Sequence, residues 1–196
     1  MMNTFRVNVT LDPESASPYF IVSNDLKTVR NGGCLQNVPM TPDRFEDEII
    51  LGAQVFTSGV HYWEVDVGNS MQWKVGVCKE SVSRSSSVPF FPGDVFLVTY
   101  IQNEDTCTVI SNCSHMPPVA VNPIRRVGIF LEYDQGKISF YDVLEKSFLL
   151  SFPYFPFSEP LRPIFSPCPP NEGENSVPMS IVHAHIFDGS SIINTF

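Results

Sequence analysis

The segment HYWEVDVGNSMQWKVGVC, residues 61–78, decides the fold of this chain. It contains two runs in which side chains of opposite character alternate. One face of the first run carries His61, Trp63, Val65 and Val67, and the other carries Tyr62, Glu64 and Asp66. One face of the second run carries Trp73, Val75 and Val77, and the other carries Lys74, Gly76 and Cys78. A period of two residues indicates strands with one face in a core, so we predict two adjacent antiparallel strands whose tryptophans fill that core.

Short strand-like runs recur through the rest of the chain. They lie at residues 19–23, 48–58, 60–68, 72–79, 95–101, 106–110, 125–134, 136–143, 147–152, 160–166 and 177–182. Residues 134–136 (Asp-Gln-Gly) join two alternating runs and predict a tight hairpin. No long helical pattern is present. Many short strands separated by turns predict an all-β sandwich or barrel.

Two segments lack a strand pattern and are predicted to be surface loops. They are SRSSSVPFFPGD at residues 83–94 and SPCPPNEGENSVP at residues 166–178. Long irregular loops tend to be functional or mobile. The first contains Phe90 and Phe91, which either fold back onto the sandwich or form an exposed apolar patch for a partner. The sequence leaves these two alternatives open.

The charge balance narrows the classes of partner. The chain has 196 residues, with 12 Lys and Arg against 21 Asp and Glu, for a net charge of −9. Nucleic-acid binding needs clustered cations, and the densest basic cluster here is the pair Arg125-Arg126. We therefore expect no binding to nucleic acid or membranes. No apolar run approaches the roughly 18 residues needed to cross a bilayer.

The cysteines predict neither a disulfide framework nor a zinc site. Five are present, at positions 34, 78, 107, 113 and 168, with no C-x-x-C pair. The N-terminus, MMNTFRVNVT, has no apolar core of a signal peptide. We expect free thiols, a cytoplasmic location, no cofactor, no metal and a monomeric isolated domain.

Candidate catalytic groups are few. The chain has no G-x-S-x-G elbow, no phosphate-binding G-x-x-x-x-G-K-[ST] loop and no H-E-x-x-H motif. His183 and His185 could share a strand face, but no further ligand lies near them before Asp188. Glu64 and Asp66 share an outward strand face, where carboxylates are usually solvated, and His61 is expected to pack or cap. The sequence therefore gives no support for an enzyme.

Several segments, in order, resemble the B30.2 (PRY-SPRY) family. Residues 11–30 (LDPESASPYFIVSNDLKTVR) resemble the PRY opening, and residues 56–68 with 73–78 resemble the start of SPRY. VGIFLEYDQGKISFYDV at 127–143 resembles the family's central hairpin, and LRPIFSP at 161–167 its closing run. The chain is most similar to the C-terminal domains of tripartite-motif (TRIM) ubiquitin ligases.

The resemblance implies a bent sandwich of two antiparallel sheets with long variable loops, acting as a protein-interaction module. It implies a lead-in at 1–10, a PRY–SPRY domain at 11–182 divided near residue 56, and an extension at 183–196. In this reading the domain recognises the substrates of a TRIM-type E3 ligase. The RING chemistry and an oligomerising coiled coil would lie outside this chain. The apolar residues of the tail 184–196 are expected to pack back onto the sandwich.

The family's variable loops over one sheet suggest where a protein or peptide would bind. By position, the predicted partner-binding residues are Lys74, Phe90, Phe91, Val98, Tyr100, Cys168, Pro169, Pro170 and Asn171. A competing interpretation makes Tyr100 a packed sheet residue and leaves binding to the loops. The alternative function is that of a butyrophilin-like domain binding a small anionic ligand through a basic pocket. An apolar, acidic depression favours the first function, and several Arg and His favour the second.

Overall fold

The structure is a computed structural model that describes residues 2–167, 169 and 176–183. Within them, two 3₁₀ turns (Met2–Phe5 and Pro13–Ser15) accompany thirteen strands. The strands are β1 (Phe20–Val22), β2 (Thr28–Asn31), β3 (Ile50–Leu51), β4 (Val60–Asp66), β5 (Gln72–Lys79), β6 (Val95–Gln102), β7 (Cys107–Ser111), β8 (Val119–Val121), β9 (Arg126–Glu132), β10 (Lys137–Asp142), β11 (Ser147–Ser151), β12 (Leu161–Pro167) and β13 (Met179–Ile181).

The strands form two antiparallel sheets, which confirms the predicted all-β class. In the seven-stranded sheet the order is β1-β2-β13-β4-β9-β10-β11, and in the six-stranded sheet it is β3-β12-β5-β6-β7-β8. The predicted hairpin at 134–136 joins β9 to β10, with Gly136 at a φ of 61°. The run 48–58 yields only the short strand β3, and β8 was not predicted.

The main core contains the inward faces of both sheets. Trp63 on β4 and Trp73 on β5 are each 1% exposed, which confirms the role predicted for the tryptophans. Phe56 stacks beside Trp63 with a centroid distance of 5.6 Å, and His61 stacks on Phe56 at 4.2 Å. His61 is therefore a packing residue, as predicted.

A second apolar cluster covers part of the outer face of the six-stranded sheet. Outward side chains of the sheet meet the segment before β3 and the loop after β5. The cluster comprises Phe45, Ile49, Leu51, Cys78, Val82, Val95 and Ile164, with Phe90 and Leu97 partly buried against it. The Arg84 guanidinium lies 4.7 Å from the centroid of the Phe45 ring. This cluster fixes the two segments that frame the candidate site.

The outer face of β4 departs from the prediction that its carboxylates are solvated. Glu64 is only 6% exposed, because the N-terminal segment pairs with β4 through a bridge between Arg6 and Tyr62. Glu64 Oε2 lies 3.1 Å from Arg6 Nη1 and accepts a 2.6 Å hydrogen bond from the Tyr62 hydroxyl. Gly128, in register with Glu64, leaves room for the Tyr62 ring, since a Cβ there would lie 2.6 Å from Tyr62 Oη.

Three remaining predictions concern the loop at 166–178, the tail at 184–196 and membrane-spanning segments. Residues 166 and 167 continue β12, so the second predicted loop starts later than expected. The predicted docking of the tail 184–196 lies outside the described residues. Among the described residues, none belongs to a helix long and apolar enough to cross a membrane.

Candidate functional site

A cleft of about 560 Å³ opens on the outer face of the six-stranded sheet, beside the second apolar cluster. We call it the Lys74 cleft. It is lined by Glu46, Asp47, Glu48, Ile49, Gln72, Trp73, Lys74, Phe90, Leu97, Ile164, Ser166, Pro167 and Pro169. These residues come from three strands and three connecting segments, so the site exists only in the folded chain.

Strand register places the floor of the cleft. On β5, Lys74 pairs with Ser166 of β12 on one side and with Thr99 of β6 on the other. One pleat further along, Gly76 pairs with Ile164 and Leu97. Gly76 allows the close approach of β5 and β6, because a Cβ there would lie 1.9 Å from the Phe96 carbonyl oxygen. The floor is therefore apolar at Leu97 and Ile164 and cationic at Lys74.

The segment 46–49 forms an acidic wall that is tied to the sheet. The Ser166 hydroxyl donates a 2.7 Å hydrogen bond to the Glu48 carbonyl oxygen. The Asn31 side-chain amide donates to Glu48 Oε1 at 3.0 Å. These bonds hold three consecutive carboxylates, Glu46 to Glu48, at the edge of the cleft.

The loop 83–94 is clamped to the same wall. Both the backbone N–H and the hydroxyl of Ser86 donate to Glu46 Oε2, at 3.0 and 2.7 Å. The Glu46 N–H donates to the Arg84 carbonyl oxygen at 3.0 Å. The two bonds from Ser86 stabilise the ionised carboxylate and lower the pKa of Glu46 below its ordinary value. The clamp brings Phe90 into the lining.

The charge of the cleft is predominantly negative. Its described lining contains three carboxylates and one ammonium group, that of Lys74, and no Arg or His. None of these four side chains forms an ion pair with another described residue. The site therefore offers apolar contact and unneutralised negative charge.

The structure brings together three of the residues predicted from the sequence. Lys74, Phe90 and Pro169 all line the cleft. Phe90 is half-buried against the second apolar cluster, whereas Phe91 is 57% exposed at the loop surface. The two phenylalanines thus divide between the two alternatives that the sequence left open. Cys168, Pro170 and Asn171 lie outside the described residues.

Val98 and Tyr100 were wrongly assigned to the binding face. Both are 0% exposed and belong to the main core. Tyr100 pairs with Trp73 in the sheet, and their rings stack with centroids 5.0 Å apart and planes 10° apart. Residues paired across neighbouring strands point to the same face of a sheet, so Tyr100 faces the core as Trp73 does. The structure thus confirms one part of the competing interpretation, that Tyr100 is a packed sheet residue, and binding by the loops alone stays a prediction.

Sequence reasoning missed Leu97, Ser166 and the acidic wall. Leu97 and Val98 are neighbours on β6 and point to opposite faces of the sheet. Pairing Tyr100 with Trp73 would therefore have placed Val98 in the core and Leu97 on the outer face. The acidic triplet is visible in the sequence before β3, but nothing local indicates that it lies beside Lys74.

A second depression, of about 410 Å³, lies between residues 112–115 and 152–155. Its lining includes Phe96, Phe152, Phe155 and the half-buried Cys113. Tyr154, at its rim, is 73% exposed. None of the residues predicted to bind a partner lines it, so we refer to it below as the aromatic depression and use it as a comparison surface.

Comparison with known proteins settles the family. A family model described as "SPRY domain" matches residues 60–179, and one described as "SPRY-associated domain" matches residues 9–56. The chain belongs to the PRY–SPRY, or B30.2, family. This family is a class of binding modules, and the match agrees with the resemblance found in the sequence motifs.

Relatives of this B30.2 domain occur in proteins of different kinds. It is 45% identical to "Probable E3 ubiquitin-protein ligase TRIML1" of Mus musculus, over 93% of this chain and 39% of the relative. It is 44% identical to "Erythroid membrane-associated protein" of Homo sapiens, over 89% of this chain and 37% of the relative. The solved "TRIM65 PSpry domain" shares the fold, with a TM-score of 0.75 and 23% identity over 93% of each chain. The chain thus spans less than two fifths of these two curated relatives.

Proposed function

We propose that this B30.2 domain binds a segment of a protein partner in the Lys74 cleft and serves as the substrate-recognition domain of a TRIM-type E3 ubiquitin ligase. The observation that carries the proposal is the character of the cleft. An apolar floor beside exposed carboxylates suits a polypeptide, which offers apolar side chains and positive or hydrogen-bonding groups together.

The same observation disfavours a small anionic ligand. Three carboxylates would repel a phosphate or carboxylate group, and Lys74 is the one described cation in the lining. A pocket for a small anion needs several convergent donors, such as the bidentate Arg groups that recognise phosphate. The butyrophilin-like alternative therefore lacks the chemistry it requires at this cleft.

Binding at the cleft can be tested with the isolated chain and a library of peptides. We expect bound peptides to lose affinity for Leu97→Arg, which places a cation on the apolar floor, and for Lys74→Ala, which removes a hydrogen-bond donor without adding charge to the wall. Phe148→Ala, on the opposite sheet and 58% exposed, should bind as the parent does. Lys74→Ala is the informative variant if Leu97→Arg melts early, because Lys74 has no described ion-pair partner. Peptides that bind all three variants equally would contradict the proposal.

The ligase context has a separate test. TRIML1 is a probable ligase by name, whereas the name of the erythroid relative carries no such activity. Sequencing the transcript upstream of residue 1 should reveal a RING with paired zinc-binding Cys and His, followed by a coiled coil. A membrane span leading directly into this domain would contradict the ligase context and would group the protein with relatives such as the erythroid membrane-associated protein.

A further inference from the structure

We infer that the Lys74 cleft selects partner segments in which a Lys or Arg lies next to a large apolar side chain. This inference rests on the proposed function and adds the chemistry of the partner. It follows from the hydrogen bonds that the wall carboxylates make inside the fold and from the apolar side chains that lie beside them.

The wall keeps its negative charge available. Glu46 uses Oε2 for Ser86, and Glu48 uses Oε1 for Asn31, so each retains a second oxygen. Asp47 is exposed, and no described residue donates to its side chain. Their partners inside the fold are neutral hydroxyl and amide groups, which leave the charge unneutralised. A cation from outside can therefore pair with this wall.

The floor and the neighbouring loop require an apolar group in the same ligand. Leu97 and Phe90 are half-buried, so each keeps apolar surface accessible within the cleft. On the adjoining loop, Phe91 is 57% exposed and Val88 is 40% exposed. Exposed apolar side chains grouped beside a cleft mark interaction surfaces more often than isolated ones do. A bound apolar side chain would cover them.

Charge complementarity favours a basic and apolar segment over a purely apolar segment and over an acidic one. A purely apolar segment would strip water from the carboxylates without replacing it, which is unfavourable. An acidic segment would meet like charges on the wall, and the net charge of −9 would slow its approach. A segment with adjacent basic and apolar side chains satisfies both parts of the cleft. Lys74 then lies where the backbone carbonyls or a carboxylate of the partner can accept from it.

The probe is a library of synthetic nine-residue peptides in which each residue type occurs equally at every position, presented to the full 196-residue chain. We expect the bound pool to be enriched in Lys or Arg within two residues of Leu, Phe, Tyr or Trp. The affinity of individual selected peptides should fall about five- to tenfold for Asp47→Lys, and it should weaken as salt is raised. Glu145→Lys, a charge reversal of the same size at an exposed site in the turn between β10 and β11, should leave affinity unchanged.

The outcomes separate the inference from the proposed function. Peptides that require Leu97 and Lys74 but show no basic enrichment, or that ignore Asp47→Lys, would overturn the inference and leave the cleft as the binding site. Peptides that ignore every cleft variant would overturn both. Asp47 makes no described side-chain bond, so a folding defect is not expected, and a thermal melt of each variant verifies this.

Discussion

Replacing Tyr100 distinguishes a core residue from a binding residue most clearly. The side chain is 0% exposed and stacks on Trp73, and its hydroxyl donates a 2.8 Å hydrogen bond to Gln102 Oε1. Truncating a buried aromatic side chain to alanine costs about 3–5 kcal/mol. Full burial and the lost stacking place Tyr100→Ala in the upper part of that range, at about 4–5 kcal/mol.

Tyr100→Phe isolates the hydroxyl from the ring. Gln102 is half-buried and can recover a water molecule, so the loss of this bond should cost only about 0.5–1.5 kcal/mol. Tyr154→Ala is the matched control, because Tyr154 is 73% exposed and its truncation should change stability by no more than about 0.5 kcal/mol.

Urea unfolding followed by tryptophan fluorescence measures all three variants, since both Trp63 and Trp73 are buried. With a slope of about 2–3 kcal/mol per M, Tyr100→Ala should lower the unfolding midpoint by about 1.3–2.5 M. Tyr100→Phe should lower it by about 0.2–0.75 M and should keep peptide binding. A Tyr100→Ala variant that unfolds at the parent's midpoint and loses only peptide binding would refute the assignment to the core.

Three further predictions follow from the buried and clamped groups. Glu64→Ala should cost about 2–3 kcal/mol, because it removes the buried carboxylate that pairs with Arg6 and accepts from the Tyr62 hydroxyl. Asp66→Ala, whose pair with Arg126 is largely exposed, should cost no more than about 1 kcal/mol in the same urea assay. Ser86→Ala should raise the pKa of Glu46 toward its ordinary value near 4.5, measured by carboxyl NMR titration. Because the folded-state pKa is the lower one, the contribution of the clamp is present above the ordinary value and is lost as pH falls through the folded-state value; an unmoved titration would argue against the clamp. Burial raises the pKa of Cys78 to about 12, so a thiol reagent at pH 8 should modify the exposed Cys34 and spare Cys78 until urea unfolds the chain, as checked by peptide mass spectrometry.

The sequence predicted the core better than the site, and β6 shows why. On β4 and β5, tryptophans alternate with polar residues, so the inward face could be read directly. On β6, the run VFLVTYI is apolar at nearly every position, and its own period does not reveal which face is inward. The pairing of Trp73 with Tyr100 settles that question, and pairing is a property of the sheet.

The remaining errors share a non-local cause. Glu64 was expected to be solvated, but Arg6 reaches it from a segment 58 positions earlier in the chain. The wall at 46–48 and the loop at 83–94 come together through Ser86 and Glu46, which are 40 positions apart. The family could be predicted from the order of the motifs, because each motif is a continuous stretch of sequence. The positions of the loops around Lys74 depend on side-chain contacts between distant segments.

Hydrogen–deuterium exchange, with and without a selected peptide, tests most directly whether the Lys74 cleft is the binding surface. We expect slower exchange on binding in residues 46–49, 72–74 and 88–97, with the seven-stranded sheet unchanged. Protection confined to the aromatic depression at 112–115 and 152–155, or to β9–β11, with no change around Lys74, would contradict the account.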